Sequence, residues 1–269
     1  IAVLRIAKNL KQITGKNNLC LAGGVALNCV ANGKILDQAG FEKVWIQPAA
    51  GDAGSAVGCA LSYIYKYTKK SRVIDHKDSM KSSYLGPEFS NDIIHKYLDK
   101  LKINYHNLED SLLTKKVSEY LVEGNIIGWF QGKMEYGPRA LCNRSIIGDP
   151  RIEDMQKRMN LKIKFRESFR PFAPVILDED KEEYFGIKDE SPYMLLTRKL
   201  NSKFLKNIKS DCEFTGTERV NEIRSNLPAI THIDNSCRIQ TISKNRNPLF
   251  HMLLSKFKEQ TGCPVLINT

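Results

Sequence analysis

Basic residues concentrate in one stretch of the chain. Between Lys133 and Arg170 lie ten Lys or Arg and five Asp or Glu, so this stretch supplies +5 of the formal net charge of +11. The basic residues alternate with Gly, Pro and aromatic residues, a spacing unlike that of a solvated charged face or a disordered tail. Arginines held apart by rigid apolar residues can converge on one multiply charged anion, such as a phosphate or a nucleotide. The stretch therefore predicts an enzyme that handles phosphorylated small molecules.

The order of these basic residues suggests how they converge. The sequence EYGPR (135–139) predicts a stiff turn that aims Arg139 outward, and Arg144 follows five residues later. Lys164, Arg166 and Arg170 come on the far side of one predicted helix. A triphosphate or carbamoyl phosphate needs several cations, because negative charge develops on more than one oxygen. An RNA-contacting face is also rich in arginine, but the prolines and the lack of an RGG context favour a small-molecule pocket.

Two glycines, Gly23 and Gly24, stand where a predicted strand turns into a predicted helix. Glycine lets a phosphate or adenosine approach the backbone, and a helix N-terminus offers free N–H groups and a partial positive charge. Double glycines also make ordinary tight turns, so the pair alone is a weak indication of nucleotide contact.

Two acidic residues occupy similar positions next to predicted strands. Asp52 lies between a strand end and a helix start, where it could ligate a metal or cap the helix, and the spacing alone favours the cap. Asp234 lies two residues after His232 and four before Arg238. An imidazole beside a carboxylate could orient a substrate or move a proton. A structural hydrogen-bonded pair is an equal interpretation.

The elements that must position these residues form two groups. Residues 1–67 predict helices over 1–14, 25–36 and 55–67 and strands over 20–22 and 44–46. Strand, glycine turn and helix, repeated twice, is typical of an α/β nucleotide-binding layer. Residues 68–90 are polar, lack periodicity and contain Gly86-Pro87, which predicts a linker with a domain boundary near 75.

The second group mixes helices and strands, which indicates an α/β or α+β domain over 75–269. Helices are predicted over 90–101, 112–123, 153–161 and 249–261, and strands over 125–130, 172–177, 229–233, 237–242 and 264–268. The interval 186–226 is too irregular to assign.

Composition narrows the class of protein. No apolar run reaches the roughly 18–20 residues that span a bilayer. Seven scattered cysteines without a CxxC pair indicate reduced thiols in the cytoplasm, and Cys29, Cys59 and Cys142 are expected to be buried. A pI of about 9.2 permits nucleic-acid binding without requiring it. The chain begins at Ile1 within a helical pattern and stops within a strand-like run, so we expect it to be part of a longer protein.

Six segments together resemble the O-carbamoyltransferase family of nodulation-factor, aminoglycoside and cephalosporin tailoring enzymes. They follow the family order along almost the whole chain. They are LAGGVALN (21–28), QPAAGDAGSAVG (47–58), GWFQGKMEYGPRALCNRSIIGDPR (128–151), KFRESFRPFAPVI (164–176), AITHIDNSCRIQT (229–241) and TGCPVLINT (261–269).

The resemblance implies the fold and the reaction. Residues 1–74 would end an actin/Hsp70-like ATPase-type domain of the Kae/TsaD kind, and residues 75–269 would form a YrdC-like α/β domain. The YrdC-like domain would form carbamoyl-adenylate and pyrophosphate from carbamoyl phosphate and ATP, with Mg²⁺. The first domain would pass the carbamoyl group to a hydroxyl of a sugar, an antibiotic or a nodulation factor, assisted by Fe(II) or a similar divalent metal.

The resemblance also assigns residues to roles. Asp52 matches the family's metal-ligand aspartate, which reverses the preference for a helix cap. Lys164 and Arg166 match the KxR signature that holds phosphate oxygens. Further residues of the anion pocket would be Arg139, Arg144, Arg170, His232 and Arg238, and those of the adenine-nucleotide loop Gly23, Gly24 and Asn28.

Some features of the family pattern are missing or altered. Its paired metal-binding histidines would precede Ile1 and its Ser-x-Asn would follow Thr269, so we expect this chain to hold half a transfer site and an incomplete adenylation site. Cys142 stands where the family usually has glycine.

Two other functions remain open from the sequence. A carbamoyl-transfer protein of hydrogenase maturation would carry acylphosphatase and paired CxxC segments, which are not visible here. A YrdC-related RNA-binding or tRNA-modification module is the non-enzymatic alternative. The sequence identifies neither the acceptor nor the oligomeric state.

Overall fold

A computed structural model describes residues 1–74, 78–206, 219 and 222–269. Its helices are α1 (Ala2–Thr14), α2 (Cys29–Gln38), α3 (Asp52–Ser62), α4 (Asn91–Lys100), α5 (Asp110–Val122), α6 (Met155–Lys162), α7 (Lys181–Phe185) and α8 (Pro248–Thr261). Its strands are β1 (Asn18–Leu21), β2 (Lys43–Ile46), β3 (Ile127–Phe130), β4 (Arg144–Gly148), β5 (Ala173–Leu177), β6 (Leu196–Lys199), β7 (Ser236–Ile242) and β8 (Val265–Asn268). The chain thus has the predicted α/β composition.

The first part of the chain has the predicted strand–turn–helix order. Strands β1 and β2 pair in parallel, with Cys20 opposite Trp45, and α2 makes the crossover between them. Ile35 of α2 and Phe41 are buried in the small core on this pair. The helix predicted over 25–36 is divided, because a short 3₁₀ turn (Gly24–Leu27) precedes α2.

The second part is built on a six-stranded mixed sheet in the order β3-β4-β8-β5-β7-β6. Only β5 and β7 pair in parallel among these neighbours. Helix α8 places a fully buried stripe in the core, at the helical spacing of Phe250, Leu253, Leu254 and Phe257. The rings of Phe250 and Trp129 of β3 are nearly perpendicular, with centroids 5.8 Å apart.

Two differences from the predicted elements have physical causes. The strand predicted over 229–233 is wrong: Pro228–Ile230 form a 3₁₀ turn, in which Pro228 has a preset φ and no N–H for a ladder. Strand β4 lies inside the basic stretch and was not predicted, because its pairing with β3 and β8 comes from distant segments. The boundary predicted near residue 75 lies outside the described residues.

The first part packs against the edge strand β6 of the second. The buried amide of Asn32 donates to the carbonyl of Leu195 at 3.0 Å and to that of Ala26 at 2.8 Å. A Cβ atom on Gly33 would lie 2.8 Å from Thr197 Oγ1, so α2 approaches β6 as closely as glycine allows. The division into domains 1–74 and 75–269, of the ATPase-type and YrdC-like folds, stays a prediction.

Exposure of the thiols differs in part from expectation. Cys142 is buried as predicted, whereas Cys29 is half-buried and Cys59 is exposed. The prediction for Cys59 is wrong because α3 buries none of its residues against the rest of the described structure. None of the described helices combines the length and apolarity that crossing a membrane requires.

Candidate anion-binding site

Six basic side chains from three separate segments line one cavity of about 860 Å³, here called the cation cavity. Its walls are completed by apolar groups such as Phe130, Pro138 and Phe172. No Asp or Glu of the described residues lines it. The six basic residues are Arg139, Arg144, Lys164, Arg166, Arg170 and Arg238. The structure therefore brings together every lysine and arginine that the sequence assigned to one anion pocket, and leaves His232 outside it.

The segment 132–144, here called the arginine loop, is folded around a buried carboxylate. Oε1 of Glu135 accepts hydrogen bonds from the backbone N–H groups of Leu141 at 2.6 Å, Asn143 at 2.8 Å and Arg144 at 3.1 Å. Hydrogen bonds to an ionised acceptor are among the stronger ones in proteins. Glu135 thereby sets the backbone from which Arg139 and Arg144 extend.

A buried amide organises the loop that carries the other cations. Nδ2 of Asn160, at the end of α6, donates to the carbonyls of Ser168 at 3.0 Å and Arg170 at 2.8 Å. Its Oδ1 accepts from Nε of Arg166 at 2.6 Å, and the Arg166 guanidinium lies over the ring of Phe172. Asn160 is fully buried, so the backbone and one guanidinium of this loop are held from within the protein.

Arg144 and Arg170 also have partners among the described residues. The guanidinium of Arg144 lies 3.6 Å from the centroid of the Phe130 ring and donates to the carbonyl of Asn143 at 2.9 Å and that of Gly132 at 3.0 Å. Arg170, at the exposed rim, pairs with Glu167 at 2.8 Å. Arg144 therefore closes the arginine loop as well as lining the cavity.

Two others have buried donors that the described residues leave unpaired. Nε of Arg139 and Nε of Arg238 are shielded from solvent without a hydrogen-bond partner in the described part of the chain. A buried donor without a partner costs roughly 1–3 kcal/mol. A bound oxyanion would remove this cost, so both atoms point to an anionic ligand.

Burial and neighbouring cations both lower the pKa values of two of these side chains. Burial, followed by repulsion from Arg166, lowers the pKa of Lys164. Burial, followed by repulsion from Arg139, lowers the pKa of Arg238 to about 10. Because neighbouring cations destabilise one another's charged forms, an anion bound among them is stabilised by several at once.

His232 lies outside the cation cavity. It lines a smaller cavity of about 400 Å³ that shares only Pro171 with the larger one. Its Nδ1 is 3.2 Å from Oγ of Ser236, which donates to Asp234 at 2.6 Å. Burial lowers the pKa of His232, which favours a neutral imidazole at pH 7. The structure thus joins His232 and Asp234 through Ser236 and places the imidazole in a different cavity from the six cations.

The predicted nucleotide loop also lies outside the cation cavity but touches its wall. Gly23 has φ of 89°, and a Cβ atom on Gly24 would meet nothing within 4 Å. Oδ1 of Asn28 accepts the N–H of Ala31 at 3.1 Å and so caps α2. The carbonyl of Leu27 accepts from Nη2 of Arg139 at 3.3 Å. The loop is therefore next to the cavity, with open space before its glycines.

Asp52 lies in the first turn of α3 and is exposed. Within the described ranges, no group of three or more His, Cys, Asp or Glu residues is arranged to hold a metal ion. A divalent iron site needs several such ligands. Asp52 supplies one carboxylate only, so the described residues do not by themselves fit the metal that the family resemblance implies.

Sequence reasoning missed the two residues that shape the site from within. The sequence predicts Glu135 only as part of a stiff turn and Asn160 only as part of a helix. The available signal was their type, since an acidic residue amid many cations and an amide at a helix end are both suited to bind backbone groups. Cys142 has φ of 82°, in the left-handed region that glycine adopts readily, which fits its position where glycine is usual.

Two family models match the chain. One describes the carbamoyltransferase N-terminus and matches residues 2–61, and the other describes the carbamoyltransferase C-terminus and matches residues 118–269. The second match contains all six basic residues of the cation cavity.

Several curated proteins are similar over nearly the whole chain. An uncharacterised protein of Synechocystis is 50% identical and covers 99% of this chain, which spans 44% of that protein. The nodulation protein NolO of Bradyrhizobium diazoefficiens is 36% identical over 99% of this chain and 45% of its own length. The 3'-hydroxymethylcephem-O-carbamoyltransferase of Amycolatopsis lactamdurans is 35% identical over 93% of this chain and 42% of its own length. The chain thus spans less than half the length of these relatives.

Proposed function

The chain belongs to the carbamoyltransferase family, and from this premise we propose that the protein containing it is an ATP-dependent O-carbamoyltransferase. The observation that carries the proposal is the cation cavity, where six basic side chains converge without an acidic residue among the described lining. Carbamoyl phosphate and ATP are both polyanions, and several fixed cations stabilise charge on their non-bridging oxygens.

The proposed first step is formation of carbamoyl-adenylate in the second part of the chain. Carbamoyl phosphate and water give carbamate and inorganic phosphate. A carbamate oxygen then forms a bond to the α-phosphorus of ATP, and the bond to pyrophosphate breaks. Lys164 and Arg166 would hold phosphate oxygens, and the free Nε–H groups of Arg139 and Arg238 would donate to the same anions.

The proposal includes two metal ions, for which the described residues form no complete site. Mg²⁺ would accompany ATP as its counter-ion. An iron-type divalent ion in the first domain would act as a Lewis acid when bound, with Asp52 as one ligand and its other ligands outside the described residues. Gly23, Gly24 and Asn28 would face a nucleotide in that domain. We assign no step to the metal.

The proposed acceptor is a hydroxyl group on a small molecule. One relative's name specifies a hydroxymethylcephem, and others are named nodulation proteins. A sugar, an antibiotic or a nodulation-factor-like molecule is therefore the class proposed here. His232, in its separate cavity, is proposed to serve the site indirectly, through its proximity to Arg238.

The test is exchange of labelled pyrophosphate into ATP by the full-length natural protein containing this chain. We expect exchange that requires carbamoyl phosphate and disappears in Lys164→Ala, while Lys162→Ala, a matched change of an exposed lysine on α6, keeps it. Far-UV circular dichroism of both variants checks that they are folded.

Two results would contradict the proposal. Exchange retained in folded Lys164→Ala would remove the cation cavity from the reaction. No exchange in the wild-type protein, together with RNA binding that ignores ATP and weakens steeply with salt, would favour the RNA-binding alternative.

A further inference from the structure

The arginine loop contacts both the cation cavity and the first part of the chain. On one side Arg139 and Arg144 line the cation cavity. On the other side the hydroxyl of Tyr136 donates a hydrogen bond to the carbonyl of Ala53, the residue after Asp52. Arg139 adds a contact from the same loop to the carbonyl of Leu27, at 3.3 Å. One short segment therefore touches the proposed adenylation site and two turns of the first part of the chain.

Hydrogen bonds connect the residues of the arginine loop to one another and to Ser83 and Tyr84. Besides the three hydrogen bonds to Glu135, the N–H of Tyr136 donates to the carbonyl of Ser83 at 2.6 Å. The hydroxyl of Tyr84 donates to the carbonyl of Leu141 at 2.6 Å. A ligand that fixes Arg139 would thus fix Tyr136, because the backbone between them is held at both ends.

The turn that accepts the hydrogen bond from Tyr136 is closely packed. Ala49 and Ala50 are buried, and Gly137 of the arginine loop packs on Ala49, since a Cβ atom there would lie 3.3 Å from that of Ala49. A Cβ atom on Gly54 would lie 2.2 Å from the carbonyl oxygen of Ala49, so the turn closes tightly around Asp52. A displacement of Ala53 would therefore also displace the backbone of Asp52.

We propose that Tyr136 is a positioning residue that couples anion binding in the cation cavity to the turn 47–55 that bears Asp52. This inference rests on the proposed function, which makes the cavity an adenylation site and Asp52 part of a transfer site. Through Tyr136, occupancy by pyrophosphate or a nucleotide phosphate would order the turn. The two sites would then be set for successive steps on the same carbamoyl group.

Hydrogen–deuterium exchange tests the coupling without knowledge of the acceptor. The probe is inorganic pyrophosphate, added to the full-length natural protein containing this chain and to its Tyr136→Phe variant. This variant keeps the ring and removes only the hydroxyl. We expect pyrophosphate to slow amide exchange over residues 49–58 by about three- to tenfold in the wild type, the effect of one hydrogen bond. In Tyr136→Phe this slowing should be lost, while exchange over 136–144 is still slowed.

A matched control is Tyr97→Phe, which removes the hydroxyl of an exposed tyrosine on α4 and should behave as wild type. Slowing over 49–58 that persists in Tyr136→Phe, or that is absent from the wild type although pyrophosphate binds, would overturn the coupling and leave the proposed function intact. Calorimetry that detects no pyrophosphate binding to the wild type would overturn the proposed function, and the coupling with it.

Discussion

Oε1 of Glu135 lies 2.8 Å from the backbone nitrogen of Asn143, eight residues further along the chain. This contact closes the arginine loop on a carboxylate that is almost completely buried. The loop is therefore shaped by an acidic residue that does not line the cation cavity. Its charge lies behind the backbone, and the basic side chains of the loop face the cavity.

Glu135→Ala should lower the free energy of unfolding by about 3 kcal/mol, because it leaves backbone donors without their charged acceptor. Glu135→Gln retains an oxygen acceptor and should cost about 1 kcal/mol. Urea denaturation measures both values. The exposed Glu182→Ala is the control and should change stability by less than about 0.5 kcal/mol. Equal stability of Glu135→Ala and wild type would show that the loop does not depend on the carboxylate.

Arg144→Lys should destabilise the protein by about 1–2 kcal/mol, although it preserves the charge, because hydrogen bonds of the guanidinium are lost. Lysine cannot reproduce the stacking on Phe130 together with the forked donation to the Asn143 and Gly132 carbonyls. Arg170→Lys is the comparison, since Arg170 is half-exposed and pairs only with Glu167 in the described structure, and it should be nearly neutral. Thermal unfolding distinguishes the two. The same loss in both variants would contradict a loop-closing role for Arg144.

Lys164→Met should leave the unliganded protein as stable as wild type or more stable by about 0.5 kcal/mol. The lowered pKa of Lys164 means that folding disfavours the charged form of this side chain. The resulting loss of stability is present at neutral pH and disappears only above the ordinary pKa of lysine. Pyrophosphate should raise the melting temperature of wild type and of Lys162→Met, and not that of Lys164→Met. Destabilisation of unliganded Lys164→Met would contradict a cost of holding the Lys164 charge in this partly buried site beside Arg166.

His232 should make the protein less stable in mild acid. Burial lowers its pKa below the ordinary value of 6.5, so below pH 6.5 the unfolded chain binds a proton that the folded chain resists. The contribution of His232 to the free energy of unfolding is complete above pH 6.5. It falls, by at most about 1.4 kcal/mol per pH unit, as the pH drops towards the pKa of His232 in the folded protein. Urea midpoints between pH 5 and 7.5 should show a smaller slope in His232→Gln. His106→Gln, at an exposed position, should keep the wild-type slope; an unchanged slope in His232→Gln would refute this assignment.

Local patterns in the sequence determined most helices and predicted which cations would line one cavity. The apolar spacing of α8 follows from the helical period, and Pro248 and Gly262 mark its ends. The alternation of basic residues with glycine, proline and aromatic residues sufficed to predict an anion site. Both properties reside in neighbouring residues, so no knowledge of distant contacts was needed.

Tertiary structure decided which residues share the cavity. Parallel pairing of β5 with β7 places Val175 opposite Gln240, so Arg238 lies level with Ala173, directly after the loop that carries Lys164. His232 is only six residues before Arg238, yet the intervening turn at Asn235, with φ of 61°, directs it to another cavity. Sheet order and a single turn thus separate residues that are close in sequence and join residues that are not. The physical reason is that strand register and burial depend on the whole core, whereas periodicity depends on one segment.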